Sequence, residues 1–341
     1  MNILVTGNNG YIGSILTELL LRKGYDVTGF DTNYFKECEF NKFHFEIKQI
    51  NKDIRNVSME DLKNVDAIIH LAALSNDPLG EFNSELTYDI NYHATLKLAS
   101  LAKKLGIIRF LYASSCSIYG IAKKEEVTEE STLAPITAYA ISKVKSEKAL
   151  SSMADSKFSP VFLRPATAYG IAPMLRCDIV LNNLVGWAYT TGKIHIMSDG
   201  TPWRPVVHVE DLANAFIACL ETPIEVVHNE AFNIGQKKEN YQIRDMVDIV
   251  KKVIPNCEIE YTHEHGSDSR TYKVNFDKIS TKLKGHFFPK WNAEKGVVQL
   301  YNAFKKHGLT YKKFIGTKYI RINRLKKLVK NKKINKNLFW K

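Results

Sequence analysis

The chain contains 341 residues, of which 45% are hydrophobic and 25% are charged, so it can bury the core of one large domain or two unequal ones. The net charge of +12 does not indicate a nucleic-acid-binding protein, because residues 318–341 contain ten Lys or Arg and no acidic residue, and the rest is nearly neutral. No apolar run reaches the roughly eighteen residues of a membrane-spanning helix, and the apolar start ends at Gly7, so we expect neither a membrane span nor a signal peptide.

Strand-like apolar runs alternate with amphipathic helical stretches through the first two thirds of the chain. The predicted strands cover residues 2–6, 26–31, 67–70, 108–113 and 161–164. The predicted helices between them cover residues 11–23, 86–105 and 138–153. This alternation predicts an α/β fold with a doubly wound parallel sheet that is covered by helices on both faces.

The regularity decreases after Arg164, where short strands and turns marked with Pro or Gly separate the predicted helices. These helices cover residues 179–191, 209–220 and 243–253. We therefore expect a first domain over residues 1–165 and a smaller lobe over residues 166–315, from which the chain crosses back to the first domain.

Residues 316–341 form a basic segment, called here the C-terminal extension. Its Lys and Arg residues alternate with apolar residues, and this pattern leaves two interpretations open. One is peripheral contact with an anionic membrane surface or a protein partner, and the other is a solvated or loosely docked end. No specific binding of nucleic acid is expected.

The five cysteines favour a reducing cytoplasm over an oxidising compartment. Their number is odd, they are scattered, and none has CxxC spacing. A disulfide framework and a structural zinc site are therefore not expected, and no other metal site is predicted.

Three glycines, Gly7, Gly10 and Gly13, follow the first predicted strand and lead into the first predicted helix. Glycine at these positions permits a tight turn, the approach of a pyrophosphate to the backbone, and close packing of the helix on the strand. The exposed amides at the start of the helix then bind phosphate. This arrangement predicts a dinucleotide-binding turn.

An acidic residue, Asp31, ends the second predicted strand about 20 residues further on. A carboxylate at this position accepts hydrogen bonds from the adenosine ribose and repels a 2′-phosphate, which favours NAD over NADP. A turn or capping role for Asp31 stays open, since Arg22 and Lys23 are nearby in sequence. Asp53 and Ile54 follow a third predicted strand and are expected at the adenine, with a surface turn as the alternative.

The spacing Tyr-x-x-x-Lys puts a phenol and an ammonium on one helix face, but it occurs four times in this chain. The four pairs are Tyr119/Lys123, Tyr139/Lys143, Tyr189/Lys193 and Tyr301/Lys305. Only Tyr139 opens a long predicted helix after a strand that ends in Ser114-Ser115-Cys116, at the sheet edge where ligands bind. We therefore predict Tyr139 as a general base that hydrogen-bonds to Ser115, and Lys143 as the cation that lowers the phenol pKa and holds the nicotinamide ribose. A capping role for Ser115 and a solvated position for Lys143 are the alternatives.

Together these motifs resemble the extended short-chain dehydrogenase/reductase family of NAD-dependent sugar-nucleotide epimerases and dehydratases. The resemblance covers residues 1 to about 310 and excludes the C-terminal extension. The matching segments are residues 7–13, 70–73, 114–120, 139–143, 164–165, 203–213 and 268–272. The resemblance implies a Rossmann-type fold with a smaller C-terminal substrate-binding lobe, and NAD as the cofactor. It also implies a nucleoside-diphosphate sugar as substrate and a cytoplasmic homodimer that serves cell-surface polysaccharide biosynthesis.

The motifs and the resemblance also assign residues to the two ligands. The implied cofactor-binding residues are Gly7, Asn9, Gly10, Tyr11, Ile12, Gly13, Asp31, Asp53, Ile54, Leu71, Ala72, Ala73, Asn91, Tyr139 and Lys143. The implied substrate-binding residues are Ser75, Ser115, Cys116, Ser117, Thr167, Arg176, Asn182, Arg204 and Arg270. Arg204 and Arg270 are expected at the diphosphate or its ribose, because guanidinium groups are planar, permanently charged, bidentate donors. Surface or inter-lobe salt bridges are the alternative for these two residues.

Two departures from the family pattern narrow the reaction. Relatives that dehydrate the sugar or decarboxylate a glucuronate carry acidic residues after the catalytic Ser or Thr, where this chain has Cys116 and Ser117. Thr167 stands where many relatives have an Asn that contacts the nucleotide, so the base and the sugar stay unassigned. The leading interpretation is a nucleotide-sugar 4-epimerase that works through a transient 4-keto sugar. A 4-dehydrogenase or 4-keto reductase acting on a hexose or heptose, and a non-catalytic NAD-binding regulator or scaffold, are the alternatives.

Overall fold

A seven-stranded parallel sheet forms the centre of the protein. The computed structural model describes residues 1–41, 46–81, 83–121, 126–196, 198–261 and 271–341. In this part of the chain the strands are β1 (Asn2–Thr6), β2 (Asp26–Asp31), β3 (Lys48–Asn51), β4 (Ala67–His70), β5 (Arg109–Ala113), β6 (Glu126–Val127), β7 (Ser159–Pro165), β8 (Thr167–Tyr169), β9 (Lys193–Ile196), β10 (Trp203–His208), β11 (Ala231–Ile234), β12 (Asn240–Gln242), β13 (Glu258–Tyr261) and β14 (Lys273–Val274). The central sheet has the strand order β11-β7-β5-β4-β1-β2-β3. The chain order therefore reverses between β1 and β4, which opens the crevice where such sheets bind ligands.

Helices cover both faces of this sheet and build most of a second, smaller lobe. They are α1 (Tyr11–Arg22), α2 (Asp77–Gly80), α3 (Ser84–Tyr88), α4 (Ala94–Lys104), α5 (Ala138–Ser152), α6 (Val180–Thr191), α7 (Val209–Glu221), α8 (Ile224–Val227), α9 (Ile243–Val253), α10 (Asp277–Lys282), α11 (Ala293–His307), α12 (Tyr311–Phe314) and α13 (Arg321–Lys330). No helix in these described ranges is long and apolar enough to span a bilayer.

The central strands are apolar on both faces, as a sheet covered on both sides requires. Successive side chains of a strand point to opposite faces, so Ile3 and Val5 of β1 pack with Leu16 of α1, and Leu4 packs with Leu98 of α4. All these side chains are fully buried. The doubly wound α/β fold predicted from the sequence is thereby confirmed.

The helix predicted over residues 86–105 is interrupted in the structure. It consists of α3 and α4, which are joined by a π-helical turn, Asp89–His93. Asn91 lies in this turn, where its side-chain oxygen accepts a hydrogen bond from the Leu74 amide at 2.8 Å. π-Turns often occur at functional sites, and this one holds the loop after β4.

The smaller lobe contains the three-stranded sheet β12-β10-β8 and the pair β13-β9. Helices α6, α9 and α11 pack together around its core. The chain crosses between the two parts at Ala166, at His208 and at Gly235, because α7 packs on α1 and β11 pairs with β7 of the central sheet.

The C-terminal extension is docked on the larger part of the protein, which corrects the interpretation of a solvated or loosely docked end. Its apolar side chains Leu325, Leu328, Ile334 and Leu338 are all at most 5% exposed and belong to the core cluster that contains Phe30 of β2. The spacing of buried residues along α13 is that of an amphipathic helix, whose lysines face outward. This apolar face is therefore buried within the protein itself.

Candidate active site

A cavity of about 450 Å³ lies over the carboxyl ends of the central strands. It extends from the turn after β1, past the ends of β4 and β5, to Thr167 and Arg204 of the smaller lobe. The volume is within the range of small-molecule and cofactor sites. The sheet edge and the crevice between β1 and β4 are where the sequence predicts a dinucleotide.

The glycine turn forms one end of the cavity and has no room for side chains. Gly7 has φ +75°, and a Cβ atom on it would lie 2.8 Å from the Ala72 nitrogen. A Cβ atom on Gly13 would lie 2.1 Å from the Gly7 carbonyl oxygen. Helix α1 begins directly after Gly10 without a side-chain cap and without an acidic residue in its first turn. A backbone cradle with uncapped helix amides fits the pyrophosphate of a dinucleotide.

The carboxylate of Asp31 lies at the cavity wall and is held by backbone amides. The amide of Asn33 donates to it at 2.7 Å and that of Asn9 at 3.2 Å. Burial raises the pKa of Asp31, and these two hydrogen bonds oppose that rise. Arg22 and Lys23 do not neutralise it, because they form ion pairs with Glu18 and Glu221.

The structure separates the predicted cofactor residues into two groups. Gly7, Gly10, Tyr11, Ile12, Gly13, Asp31, Asp53, Ile54, Leu71, Ala72, Ala73, Tyr139 and Lys143 line the cavity. Asn9 and Asn91 do not, because their side chains are engaged in the protein itself. Asn9 donates to Asn33 at 2.6 Å, and Asn91 donates to the Leu74 carbonyl at 3.2 Å. Both side chains therefore hold neighbouring segments of the cavity wall.

Three predicted catalytic residues meet at the middle of the cavity. Thr137 caps the start of α5, and Tyr139 is therefore in its first turn, where its phenol is close enough to the Ser115 hydroxyl for that hydroxyl to lower the phenol pKa. The Ser115 hydroxyl accepts a hydrogen bond from the Ser117 amide at 3.1 Å, so it also has the predicted capping role. One turn further on, the Lys143 ammonium lies 5.8 Å from the centre of the Tyr139 ring and donates to the Ala113 carbonyl at 2.6 Å. Tyr119, Tyr189 and Tyr301, which share the Tyr-x-x-x-Lys spacing, do not line this cavity.

Burial controls the protonation of the two titratable members of this set. It raises the pKa of Tyr139 to about 12, although the hydrogen bond from Ser115 and the nearby Arg176 lower it. It lowers the pKa of Lys143 to about 7, which Glu147 opposes. The sequence predicts that Lys143 lowers the phenol pKa, but in the structure Ser115 is the largest influence that lowers it, and burial outweighs Ser115.

The residues after Ser115 differ in what they can contribute. Cys116 is 2% exposed and donates to the Arg164 carbonyl at 3.1 Å, while burial raises its thiol pKa well above the usual value. It therefore stays a protonated thiol. The hydroxyls of Ser114 and Ser117 are buried at the cavity and have no hydrogen-bond partner among the described residues.

The predicted substrate-binding residues also fall into two groups, those that line the cavity and those that do not. Ser75, Thr167, Arg176 and Arg204 line the cavity together with Ser115, Cys116 and Ser117. Arg176 forms two hydrogen bonds with Asp178, at 2.8 and 3.1 Å, and donates to the Ser75 hydroxyl at 3.0 Å. Asn182 does not line the cavity, because it is buried and accepts from the Gly170 amide at 2.9 Å. Arg270 lies outside the described residues.

Four charged residues that line the cavity, Lys52, Asp77, Asp178 and Arg321, were not predicted from the sequence. Asp178 follows Arg176 by two residues, and this alternation of charges is a signal that could have been noticed. Arg321 belongs to the C-terminal extension and lies in one of its many basic positions, so nothing in its local sequence distinguishes it.

Comparisons with known proteins agree with this geometry. The UDP-glucuronate 4-epimerase of Thermodesulfobacterium geofontis is 27% identical over 321 residues, which covers 89% of this chain and 96% of that protein. The UDP-glucose 4-epimerase of Bacillus subtilis is 28% identical and covers 74% of this chain and 82% of that protein. The structure of UDP-glucuronic acid 4-epimerase from Bacillus cereus, in complex with UDP-glucuronic acid and NAD, superposes with a TM-score of 0.76 at 26% identity, over 90% of this chain and 99% of that one.

The sequence model of one family matches residues 3–235, which is more than half of the chain. These residues include the glycine turn, Ser115, Tyr139 and Lys143, and the family consists of enzymes that depend on NAD. This chain belongs to the NAD dependent epimerase/dehydratase family.

Proposed function

We propose that the protein is an NAD-dependent nucleotide-sugar 4-epimerase that works through a transient 4-keto sugar. The observation that carries the proposal is the meeting of Ser115, Tyr139 and Lys143 on the wall of the cavity that begins at the glycine turn. UDP-glucuronate and UDP-glucose 4-epimerases that match most of this chain at 27% and 28% identity support the same reaction type. A UDP-glucuronic acid decarboxylase matches 89% of the chain at 26% identity, so the choice of epimerisation rests on the residues beside Ser115.

The residues of the cavity wall fit a bound NAD molecule. The glycine cradle would bind the pyrophosphate, Asp31 would accept hydrogen bonds from the adenosine ribose hydroxyls, and Lys143 would donate to the nicotinamide ribose. Asp53 and Ile54 would contact the adenine. When bound, NAD supplies the reversible acceptance of a hydride from the sugar carbon.

Tyr139 is the proton-transfer group in this proposal. In its deprotonated form the Tyr139 oxygen would take the proton of the C4 hydroxyl as the carbon is oxidised, and the resulting phenol would return a proton when the ketone is reduced on the other face. The Ser115 hydroxyl would share the hydrogen bond to the same sugar oxygen. Because burial raises the pKa of Tyr139 to about 12, the phenol has to lose its own proton before it acts as the base, and the positive charge of a bound nicotinamide would favour that loss.

The neighbourhood of Ser115 favours epimerisation over loss of water or carbon dioxide. An elimination needs a further acid or base beside the sugar, and the next position carries Cys116, whose thiol stays protonated and bonded to the Arg164 carbonyl. Ser117 is neutral as well. Arg204 and Arg176, at the smaller-lobe end of the cavity, are the guanidinium groups proposed to bind the diphosphate of the substrate.

The experiment is an incubation of the purified protein with UDP-, GDP-, CDP- and dTDP-sugars deuterated at C4, followed by NMR. We expect one sugar to give its 4-epimer with the deuterium retained, without added acceptor. Tyr139→Phe should lower turnover about 10²–10⁴-fold. Tyr301→Phe is the matched control, because it removes a phenol with the same sequence spacing that does not line the cavity, and it should leave turnover unchanged.

Other outcomes would contradict the proposal in distinguishable ways. Turnover that occurs only with an added electron acceptor or donor would identify a 4-dehydrogenase or 4-keto reductase. Full biological activity in the Tyr139→Phe variant would indicate a non-catalytic NAD-binding protein. No epimer from any of the sugars would remove the proposal.

A further inference from the structure

We propose that the C-terminal extension is part of the cofactor site, where it fixes the adenosine-side wall and provides the positive charge of Arg321 for the diphosphate. The inference rests on the NAD site proposed above. It adds to that site a segment that lies beyond the family resemblance, which ends at about residue 310.

The wall that follows β2 is held by the extension at several points. Thr32 and Tyr34 line the cavity, and the indole nitrogen of Trp340 donates to the Thr32 carbonyl at 2.6 Å. The Tyr34 hydroxyl donates to the Leu338 carbonyl, and its ring lies 5.8 Å from that of Trp340. The Arg324 side chain donates to the Tyr34 carbonyl at 3.1 Å. Both the main chain and the side chains of this wall thus depend on the extension.

The neighbouring wall after β3, which Tyr34 contacts through a 3.4 Å hydrogen bond to Asp53, is also braced. Asp53 lines the cavity and forms hydrogen bonds with Arg55 at 2.7 and 2.9 Å. The Arg55 guanidinium lies 3.7 Å from the centre of the Phe339 ring. The extension therefore contacts Arg55, which holds Asp53, and Thr32, which directly follows Asp31. Fixing this wall in advance reduces the entropy lost when the ligand binds.

Arg321 is the one residue of the extension that lines the cavity itself among those described. It is 3% exposed, stacks at 4.2 Å over Phe35, and donates through Nη2 to the Met174 carbonyl at 2.7 Å. Its Nη1 atom is buried without a hydrogen-bond partner among the described residues. A buried donor without an acceptor is uncommon and costs free energy, so this guanidinium is not explained by the protein contacts alone.

The charge of Arg321 is incompletely compensated. Of the carboxylates near it, Asp178 is engaged in two hydrogen bonds with Arg176, and Asp31 is engaged by backbone amides. Burial and repulsion from Arg176 lower the pKa of Arg321 to about 10. A diphosphate carries two negative charges, and its approach to a buried, under-compensated cation is favourable because the surroundings screen charge weakly.

The test measures the binding of ADP, adenosine and UDP to the full chain by isothermal titration calorimetry. Trp340 is 47% exposed, so Trp340→Ala removes one brace with little risk to folding, and we expect it to weaken ADP and adenosine equally, about three- to tenfold. Arg321→Gln removes the charge, and we expect it to weaken ADP about tenfold while adenosine changes less. Lys326→Gln is the matched control, because Lys326 is an exposed cation on the same helix, and no ligand should be affected.

UDP reports on the substrate side and should bind all variants as it binds the unaltered protein. Unchanged ADP and adenosine binding in Trp340→Ala would refute the bracing role. Equal losses of ADP and adenosine in Arg321→Gln would refute the role of its charge. Absence of ADP and NADH binding in the unaltered protein would instead refute the proposed cofactor site, so the two failures are distinguishable.

Discussion

The buried ion pair between Glu147 and Arg164 connects the catalytic helix to the central sheet, and its removal gives a measurable prediction. Glu147 lies on α5, one turn after Lys143, and Arg164 lies at the end of β7. Their side chains are 7% and 8% exposed, and three contacts of 2.6, 3.0 and 3.3 Å join them. Glu147→Gln keeps the shape but removes the negative charge.

The expected cost follows from what Arg164 retains. Its remaining acceptors are the Tyr119 hydroxyl at 3.2 Å and the Glu129 carbonyl at 3.0 Å, both neutral. Breaking a buried pair by removing one partner costs about 3–5 kcal/mol, and because the amide oxygen of Gln still accepts a hydrogen bond we expect about 3 kcal/mol. Urea unfolding followed by far-UV circular dichroism measures this change in the free energy of unfolding.

Two further variants make the measurement decisive. Glu60→Gln breaks an ion pair whose side chains are 73% and 66% exposed, and it should cost less than about 0.5 kcal/mol. Replacing both buried partners, Glu147→Leu with Arg164→Met, should recover most of the lost stability, because no buried charge is left unpaired. Equal losses in Glu147→Gln and Glu60→Gln would refute the reasoning.

The same Glu147→Gln variant has an expected effect on the pH profile. Glu147 raises the pKa of Lys143, which burial lowers to about 7, so without the carboxylate the ammonium loses its proton at lower pH. We expect the alkaline limb of kcat/KM to move to lower pH.

Three other predictions concern the turn, a buried histidine and the thiol. Gly13→Ala puts a Cβ atom 2.1 Å from the Gly7 carbonyl oxygen and should lower the free energy of unfolding by about 3 kcal/mol, measured by thermal unfolding. Gly10→Ala puts its Cβ atom 3.0 Å from the same oxygen, so the variant should fold but bind NADH more weakly, measured by NADH fluorescence. Burial lowers the pKa of His208 to about 4, so the unfolded chain gains a proton at this residue first as the pH falls below about 6.5. His208 alone should therefore contribute a loss of about 2 kcal/mol by pH 5, and His208→Gln should reduce the total loss between pH 7 and pH 5 by about that amount in the same urea assay. Cys116→Ala should keep kcat within about threefold, because the thiol stays protonated and bonded to a backbone carbonyl; a hundredfold loss would give the thiol a chemical role.

The central sheet could be predicted from the sequence because each of its strands is marked by a short apolar run of neighbouring residues. Strands β1, β2 and β4 have the bounds that their apolar runs predict, and Tyr139 could be chosen among four equivalent spacings by the elements around it. Among the four Tyr-x-x-x-Lys pairs, Tyr139 is the one that lies at the start of a long helix after β5, and it lines the cavity at the sheet edge. The secondary structure predicted around Tyr139 and the chemistry expected of its phenol lead to the same residue, so this prediction needed no knowledge of distant contacts.

What could not be predicted depends on partners that are far away in sequence. The interruption of helix 86–105 is coupled to the hydrogen bonds of Asn91 with Leu74, and the composition of the helix does not show them. The side-chain amide of Asn182 could bind a ligand, but in the structure it forms hydrogen bonds with the Gly170 amide and the Arg176 carbonyl. The docking of the C-terminal extension depends on contacts with Tyr34 and Met174, about 290 and 147 residues earlier.

The repeated passage of the chain between the sheet and the smaller lobe restricts how the two can move. A domain joined by one linker can swing widely, but here the connections at Ala166, His208 and Gly235 would all have to bend together. The residues that would bind the sugar therefore keep a fixed position relative to those that would bind the dinucleotide. We expect ligands to enter the cleft through small sliding displacements of the two parts instead of a wide opening.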